Sequence, residues 1–199
     1  MAGITRFLIC ATLACIALVL GSVAAGPAAA AADDPCADTK LTPSSDNLDR
    51  IRAATVCLLN VERARQGLPP LRGNEHLSKA AQKYSAKMVR GRFFSHVCPD
   101  GSTLKSRVRK GTRYLNTSVR DWSLGENLAW GSRSLSTPLA TVRAWMRSSG
   151  HRENILNARF RDIGVGVATG APAKVGGPAA TYTTDFGYRV KRYRSEETA

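Results

Sequence analysis

The stretch Gly150-His151-Arg152-Glu153-Asn154-Ile155-Leu156 is the part of the chain around which the fold prediction is built. An apolar pattern at helical spacing precedes it from Leu139 to Met146 and stops at Ser148-Ser149-Gly150. A glycine at the end of a helix commonly supplies a left-handed backbone conformation that side chains disfavour. We therefore predict a helix that opens at Thr137-Pro138 and ends at Gly150, with His151 at a sharp exit from it.

Two earlier stretches carry residues of complementary chemistry, namely Phe94-Ser95-His96 and Gly125-Glu126-Asn127-Leu128-Ala129. His96 follows a predicted helix, and Glu126 opens a predicted strand. Folds often present sites by holding polar side chains at the ends of elements. We therefore expect His96, Glu126 and His151 to converge in one cleft that solvent can reach.

Residues 1–32 have the pattern of a secretory signal peptide. Arg6 is followed by an apolar run from Phe7 to Leu20 and by alanines that end at Ala32. A membrane anchor is the alternative, but the apolar run is shorter than the ~20 residues that a spanning helix needs. We predict a secreted protein, cleaved near Ala32, without a transmembrane segment in the mature chain.

The mature chain is strongly basic. Removing Arg6 leaves 28 basic and 15 acidic residues, a net charge of +13. This balance favours an anionic partner such as a cell-wall polymer, a lipid headgroup or an acidic polysaccharide, although the charge could serve solubility alone. The basic residues are dispersed and no nucleic-acid motif is recognisable, so we do not expect nucleic-acid binding. A monomer is expected.

Three of the five cysteines remain after cleavage: Cys36, Cys57 and Cys98. Export permits a disulfide, and three thiols allow one bridge with one thiol left over. We predict that Cys36, in an irregular arm, pairs with Cys57, in the middle of a helix. Such a bridge would pin the arm to the core and contribute about 3 kcal/mol by chain entropy. Cys98 would remain free.

Helical patterns dominate the first half of the mature chain, and strand patterns dominate its end. We predict an arm over 33–45, one domain over 46–190 and a charged tail over 191–199. Helices are predicted from Leu48 to about Gly67, from Asn74 to Gly91 and from Ser102 or Thr103 to Gly111; residues 112–124 are predicted to be a loop; strands are predicted over 126–130, 163–168 and 180–188. Two glycines in the second strand, Gly164 and Gly166, indicate close packing on one face. The class is α+β.

The motifs occur in a familiar order. They are Asn60-x-x-Arg63, Gly67-Leu-Pro-Pro-Leu71, Phe94-Ser-His96, Gly125-Glu-Asn-Leu-Ala129, Trp145, Gly150-His-Arg-x-Asn-Ile-Leu156, Ile163-Gly-Val-Gly166 and Tyr182-Thr-Thr-Asp-Phe-Gly187. Over residues 50–190 the chain resembles the CAP superfamily of cysteine-rich secretory, antigen 5 and pathogenesis-related proteins, whose domain is also called SCP. The resemblance is greatest to the single-domain secreted form of bacteria. It implies an α-β-α sandwich, with a small antiparallel sheet between helical layers and a central cleft.

The resemblance also implies a set of cleft residues. In the family two histidines and two glutamates mark the cleft, and in several members they hold a divalent cation. His96, Glu126 and His151 match three of them, while Ser148 stands where the fourth, a glutamate, is expected. Two imidazoles and one carboxylate suit Zn²⁺ and leave a position open for water. The alternative is a hydrogen-bonded cluster that fixes three loops.

Two function classes follow. The first is a secreted binding module for a lipid, a glycan or a cell-wall fragment, since family members have been linked to lipid and sterol binding. The second is a metal-assisted hydrolase of peptides or wall polymers, with Glu126 as the base. We prefer binding, because catalysis is not general in the family.

Overall fold

The computed structural model describes residues 35–192. The predicted signal peptide and nearly all of the charged tail lie outside these residues. Within the described range, no helix has both the length and the apolar character that membrane crossing requires.

Helices and strands follow one another with short connections. They are α1 (Leu48–Ala64), β1 (Arg72–Gly73), α2 (Glu75–Gly91), α3 (Leu104–Gly111), β2 (Val119–Ser132), a 3-10 helix (Arg133–Ser136), α4 (Pro138–Arg147), α5 (Ser149–Leu156), β3 (Asp162–Thr169) and β4 (Ala179–Lys191). The strands form one sheet in the order β1-β3-β4-β2. The three long strands pair antiparallel, as predicted, and β1 adds a two-residue parallel pair at the β3 edge. The sheet is therefore mixed rather than purely antiparallel.

Helices cover both faces of the sheet, which confirms the predicted α-β-α sandwich. On one face, α1, α4 and α5 enclose a core that includes Leu59, Trp145, Ile155, Val165 and Phe186. On the other face α2 lies directly against β3. A Cβ atom added to Gly166 would lie 2.2 Å from the carbonyl carbon of Ala81, so the two glycines of β3 create the room for the α2 backbone.

N-capping side chains begin three of the helices at the positions predicted from the sequence. The Asn74 side chain accepts hydrogen bonds from the backbone N–H groups of His76 and Leu77, which caps α2. Thr103 caps α3, and Thr137 caps α4 with Pro138 in the first helical position.

The predicted helix ending at Gly150 is wrong in one respect. α4 ends at Arg147, Ser148 is extended with φ −96° and ψ 123°, and α5 begins at Ser149. Gly150 lies inside α5, so His151 sits in the first turn of a second helix and not at a helix exit. Serine competes with helical hydrogen bonding through its own side chain, which here contacts His151 and favours the break.

The predicted loop over 112–124 is wrong for residues 119–124, because β2 begins at Val119. Arg120, Asp121 and Trp122 are all exposed in this half of the strand, so it lacks the apolar alternation of a buried strand. Glu126 consequently lies in the middle of β2 and not at a strand start.

The cysteines pair as predicted. Cys36 and Cys57 form a disulfide with a Cα–Cα distance of 5.8 Å, which ties the N-terminal arm to α1. Cys98 is buried and free.

Candidate functional site

The candidate site lies along β2, the last strand of the sheet on the side away from β1. The backbone carbonyl of Leu128 accepts a hydrogen bond from Trp145 Nε1 at 2.9 Å, and that of Glu126 accepts one from Asn154 Nδ2 at 3.2 Å. These two bonds fix α4 and α5 against the strand. His151 approaches from α5, whereas His96 approaches from the segment between α2 and α3.

The Glu126 carboxylate is the centre of the cluster. Its side chain is only 4 % exposed, and both of its oxygens are engaged. Oε1 lies 2.8 Å from His96 Nδ1, and Oε2 accepts a hydrogen bond from Arg107 Nη2. The carboxylate fixes the orientation of the His96 ring, which is itself 58 % exposed. With Nδ1 held in this way, Nε2 of His96 is the nitrogen left for an outside partner.

Arg107 is a residue of the site that sequence reasoning missed. Its side chain is 10 % exposed, and its guanidinium carbon lies 3.4 Å from the centre of the Tyr84 ring. Nη1 also donates to the backbone carbonyl of His96 at 3.1 Å. Tyr84 in turn donates to the carbonyl of Ser95 at 2.5 Å, and burial raises its pKa to about 12. Arg107 and Tyr84 thus hold the segment that carries His96.

Asp185 is the second residue that the sequence did not single out for the site. It lies opposite Glu126 in the β2–β4 register and is fully buried. Among residues 35–192, no N–H or hydroxyl group donates a hydrogen bond to its carboxylate oxygens, and Glu126 is the carboxylate that interacts with it. Burial raises the pKa of Asp185 well above its ordinary value, and the negative charge of Glu126 raises it further against the opposing effect of Arg107.

His151 occupies the other side of the cluster. Its Nδ1 lies 2.8 Å from Ser148 Oγ, and its backbone carbonyl accepts a hydrogen bond from Asn127 Nδ2 at 2.9 Å. Burial lowers the pKa of His151, and the charge of a protonated His96 lowers it further. The structure therefore brings His96 into contact with Glu126 and places His151 within electrostatic reach of His96. Among the described residues, no hydrogen bond joins His151 to Glu126.

This donor set does not fit a three-ligand zinc centre. In the part of the chain from 35 to 192, no three His, Cys, Asp or Glu side chains are grouped to hold a metal ion. Both oxygens of Glu126 already have partners, one of them a guanidinium whose positive charge opposes a bound cation. Each imidazole has its Nδ1 engaged within the protein, which leaves Nε2 as the nitrogen that could bind a metal, and Ser148 offers only a hydroxyl. Zinc binding stays a prediction of the family resemblance.

Known proteins place the fold and motifs in context. The chain is 39% identical over 126 residues to the uncharacterized protein YkwD of Bacillus subtilis (strain 168), an alignment that covers 63% of this chain and 45% of that protein. It is 34% identical over 110 residues to the uncharacterized membrane protein YlbC of the same organism, covering 55% of this chain and 29% of that protein. The chain thus spans less than half the length of these relatives.

Among solved structures, an extracellular protein containing an SCP domain from Bacillus anthracis str. Ames is similar with a TM-score of 0.57 and 27% identity, over 73% of this chain and 44% of that one. An outer surface protein of Borrelia burgdorferi shares the fold with a TM-score of 0.55 and 22% identity, over 74% of this chain and 96% of that one. The sequence profile of the CAP cysteine-rich secretory protein family matches residues 56–184, more than half of the chain. This chain belongs to the CAP family.

Proposed function

We propose that this protein is an extracellular binding module, and that the cleft formed by His96, Glu126 and His151 holds the polar part of a lipid, a glycan or a cell-wall fragment. The proposal rests on the hydrogen bonds and ion pairs of the Glu126 carboxylate. Both of its oxygens are engaged within the protein, so the carboxylate orients His96 and anchors Arg107. The similarity to extracellular and outer-surface proteins supports a location outside the cell.

The two imidazoles are the groups offered to a ligand. His96 is well exposed and has Nε2 available, while the lowered pKa of His151 keeps that ring neutral near pH 7. Neutral imidazoles exchange hydrogen bonds with hydroxyl and phosphate groups. The segment that carries His96 also exposes two apolar side chains, Phe94 at 45% and Val97 at 51%. Hydrogen-bonding groups beside exposed apolar surface suit an amphiphilic ligand or a sugar.

Hydrolysis receives less support from the same geometry. A general base has to reach a water or a substrate proton. Glu126 is 4% exposed and is paired with a guanidinium, so its lone pairs are directed into the protein. We therefore treat hydrolysis as an alternative outcome of the binding experiment.

The test uses purified protein and two probes: insoluble cell-wall material and vesicles of phosphatidylglycerol. Sedimentation should show binding to one of them that falls at least about fivefold in His96→Ala and His151→Ala, as expected when a hydrogen bond to the ligand is lost. His76→Ala is the matched control, because His76 lies in the first turn of α2 with only Glu75 as an ionic neighbour among the described residues, at 3.8 Å.

The outcomes separate the function classes. Equal binding by the wild type and all three variants would refute a role for the cleft. If the wild type releases soluble fragments from the wall material and the two cleft variants do not, the protein is a hydrolase and the binding proposal is wrong.

A further inference from the structure

A second surface with binding character surrounds α3, and its first cavity has none of His96, Glu126 and His151 in its lining. A cavity of about 710 Å³ lies between α3 and the start of β2. Its lining includes three cations, Lys105, Arg109 and Arg192, together with the aromatic ring of Trp122. A cavity of this size is within the usual range for small-ligand sites.

Among the residues that the structure describes, the positive charge of this cavity is uncompensated. No carboxylate of the described chain belongs to its lining. Within residues 35–192, none of Lys105, Arg109 and Arg192 forms an ion pair. Unpaired cations around a concave surface concentrate a positive field and favour an anion there.

Trp122 gives the cavity an aromatic wall. The ring is 38% exposed, and Lys105 Nζ lies 5.1 Å from its centre. Buried Leu115 lies nearby in the same lining. An exposed indole beside cations can pack against the C–H face of a sugar ring while the cations contact an acid group on that ring.

The neighbouring face of α3 is also rich in positively charged side chains. A cavity of about 560 Å³ between α2 and α3 is lined by cations that include Lys83, Lys87 and Lys110. Asp100 is the carboxylate in its lining, and it is paired with Lys87 at 2.6 Å. Arg109 and Lys110 are consecutive on the helix and so diverge by about 100°. The two cavities therefore flank one helix, and a polymer can contact both.

We infer that α3 and its two flanking cavities form a binding surface for an acidic polysaccharide, with Trp122 against a sugar ring and Lys105 and Arg109 on the acid groups. The cavity of Lys105, Arg109 and Trp122 shares no lining residue with the His96–Glu126–His151 cluster, whereas the second cavity adjoins that cluster through Arg107 and Tyr84. The inference does not require the proposed function of the cluster. Lys105 contacts Trp122, and the cavity that these residues line with Arg109 includes none of the three cleft residues. Lys105, Arg109 and Trp122 can therefore be changed without altering a residue of the cleft.

The experiment is calorimetric titration of the purified full-length mature chain with a short oligogalacturonate and with the same oligomer methyl-esterified. We expect Lys105→Gln/Arg109→Gln to weaken binding to the acidic oligomer about tenfold, as charge-assisted contacts are lost. Trp122→Leu should weaken it by a similar factor, about tenfold. The control, Lys40→Gln/Arg143→Gln, removes the same charge from exposed positions in the arm and on α4. It should weaken binding by less than about twofold.

Each contrary result overturns the inference. Equal losses in the two double variants would show general charge attraction. Equal affinity for the esterified oligomer would show that the acid groups do not contribute to binding. Wild-type affinity in Trp122→Leu would show that Trp122 does not contact the sugar ring. Equal affinity for poly(glycerol phosphate) or phosphatidylglycerol vesicles would assign the surface to phosphates. His96→Ala should bind the acidic oligomer like the wild type, which separates this test from that of the cleft. Circular dichroism and thermal unfolding establish that each variant is folded.

Discussion

Replacing Arg107 with Met tests whether the buried ion pair organises the site. Glu126 is 4% exposed and Arg107 is 10% exposed, so solvent screens their attraction little. Removing one partner of a buried pair leaves an uncompensated charge and costs about 3–5 kcal/mol. In this protein the carboxylate left behind would keep only His96 and would lie beside the buried Asp185. Because Met fills part of the volume over Tyr84, we expect a loss of about 3 kcal/mol in the free energy of unfolding at pH 7.

The assay is urea unfolding followed by tryptophan fluorescence, carried through a double-mutant cycle with Glu126→Gln. The double variant should lose less than the sum of the single variants, with a coupling of about 2 kcal/mol. Arg159→Met is the matched control, since Arg159 pairs with Asp121 at 2.7 Å where both side chains are about half exposed. That change should cost less than about 1 kcal/mol. Strict additivity in the cycle, or an Arg107→Met loss no larger than that of the control, would show that the pair does not organise the site.

The site and the N-terminal arm support three further predictions. Because the pKa of Asp185 is raised by burial, the folded chain keeps a proton that the unfolded chain releases. Stability should therefore fall as pH rises above the ordinary Asp range, and Asp185→Asn should flatten this slope in unfolding measurements between pH 4 and pH 8; an unchanged slope contradicts the assignment. Cys57→Ser should lower the free energy of unfolding by about 2–5 kcal/mol, and mass mapping of the unreduced wild type should find Cys98 alone as a thiol. For the zinc prediction, calorimetric heat that is lost in His151→Ala and fades as pH falls below about 6.5, since burial lowers the pKa of His151, would support a metal role. Equal heats from both proteins would end it.

Local chemistry explains which parts of the fold could be predicted. Asn74 and Thr137 cap their helices through hydrogen bonds to residues two or three positions away, so their effect is visible in a short window of sequence. Gly164 and Gly166 indicated close packing without naming the partner, which proved to be the backbone of α2. The first half of β2 escaped prediction because its pairing with the end of β4 stabilises it, while its own side chains are mostly exposed.

The candidate site likewise contains residues that the sequence indicated and residues that it did not. The motifs drew attention to His96, Glu126 and His151, but Arg107 lies in a short polar helix whose sequence is typical of a solvated surface. Its partner Glu126 is 19 residues away, and only packing of α3 against α2 and β2 makes Arg107 buried. Asp185 was interpreted as a strand residue, which is correct. Its position beside Glu126 depends on the β2–β4 register, which a single sequence does not specify.

The covering of β2 by α4 and α5 also bears on how the domain meets other chains. An outer strand of fourteen residues would ordinarily invite a foreign strand to pair with it. Trp145 and Asn154 already donate to the carbonyls of Leu128 and Glu126, two acceptors that an incoming strand would need. The edge is thereby blocked to strand pairing at residues 126–128. The same two bonds disfavour main-chain pairing of an extended peptide at Glu126, so the proposed recognition at this cluster depends on its side chains.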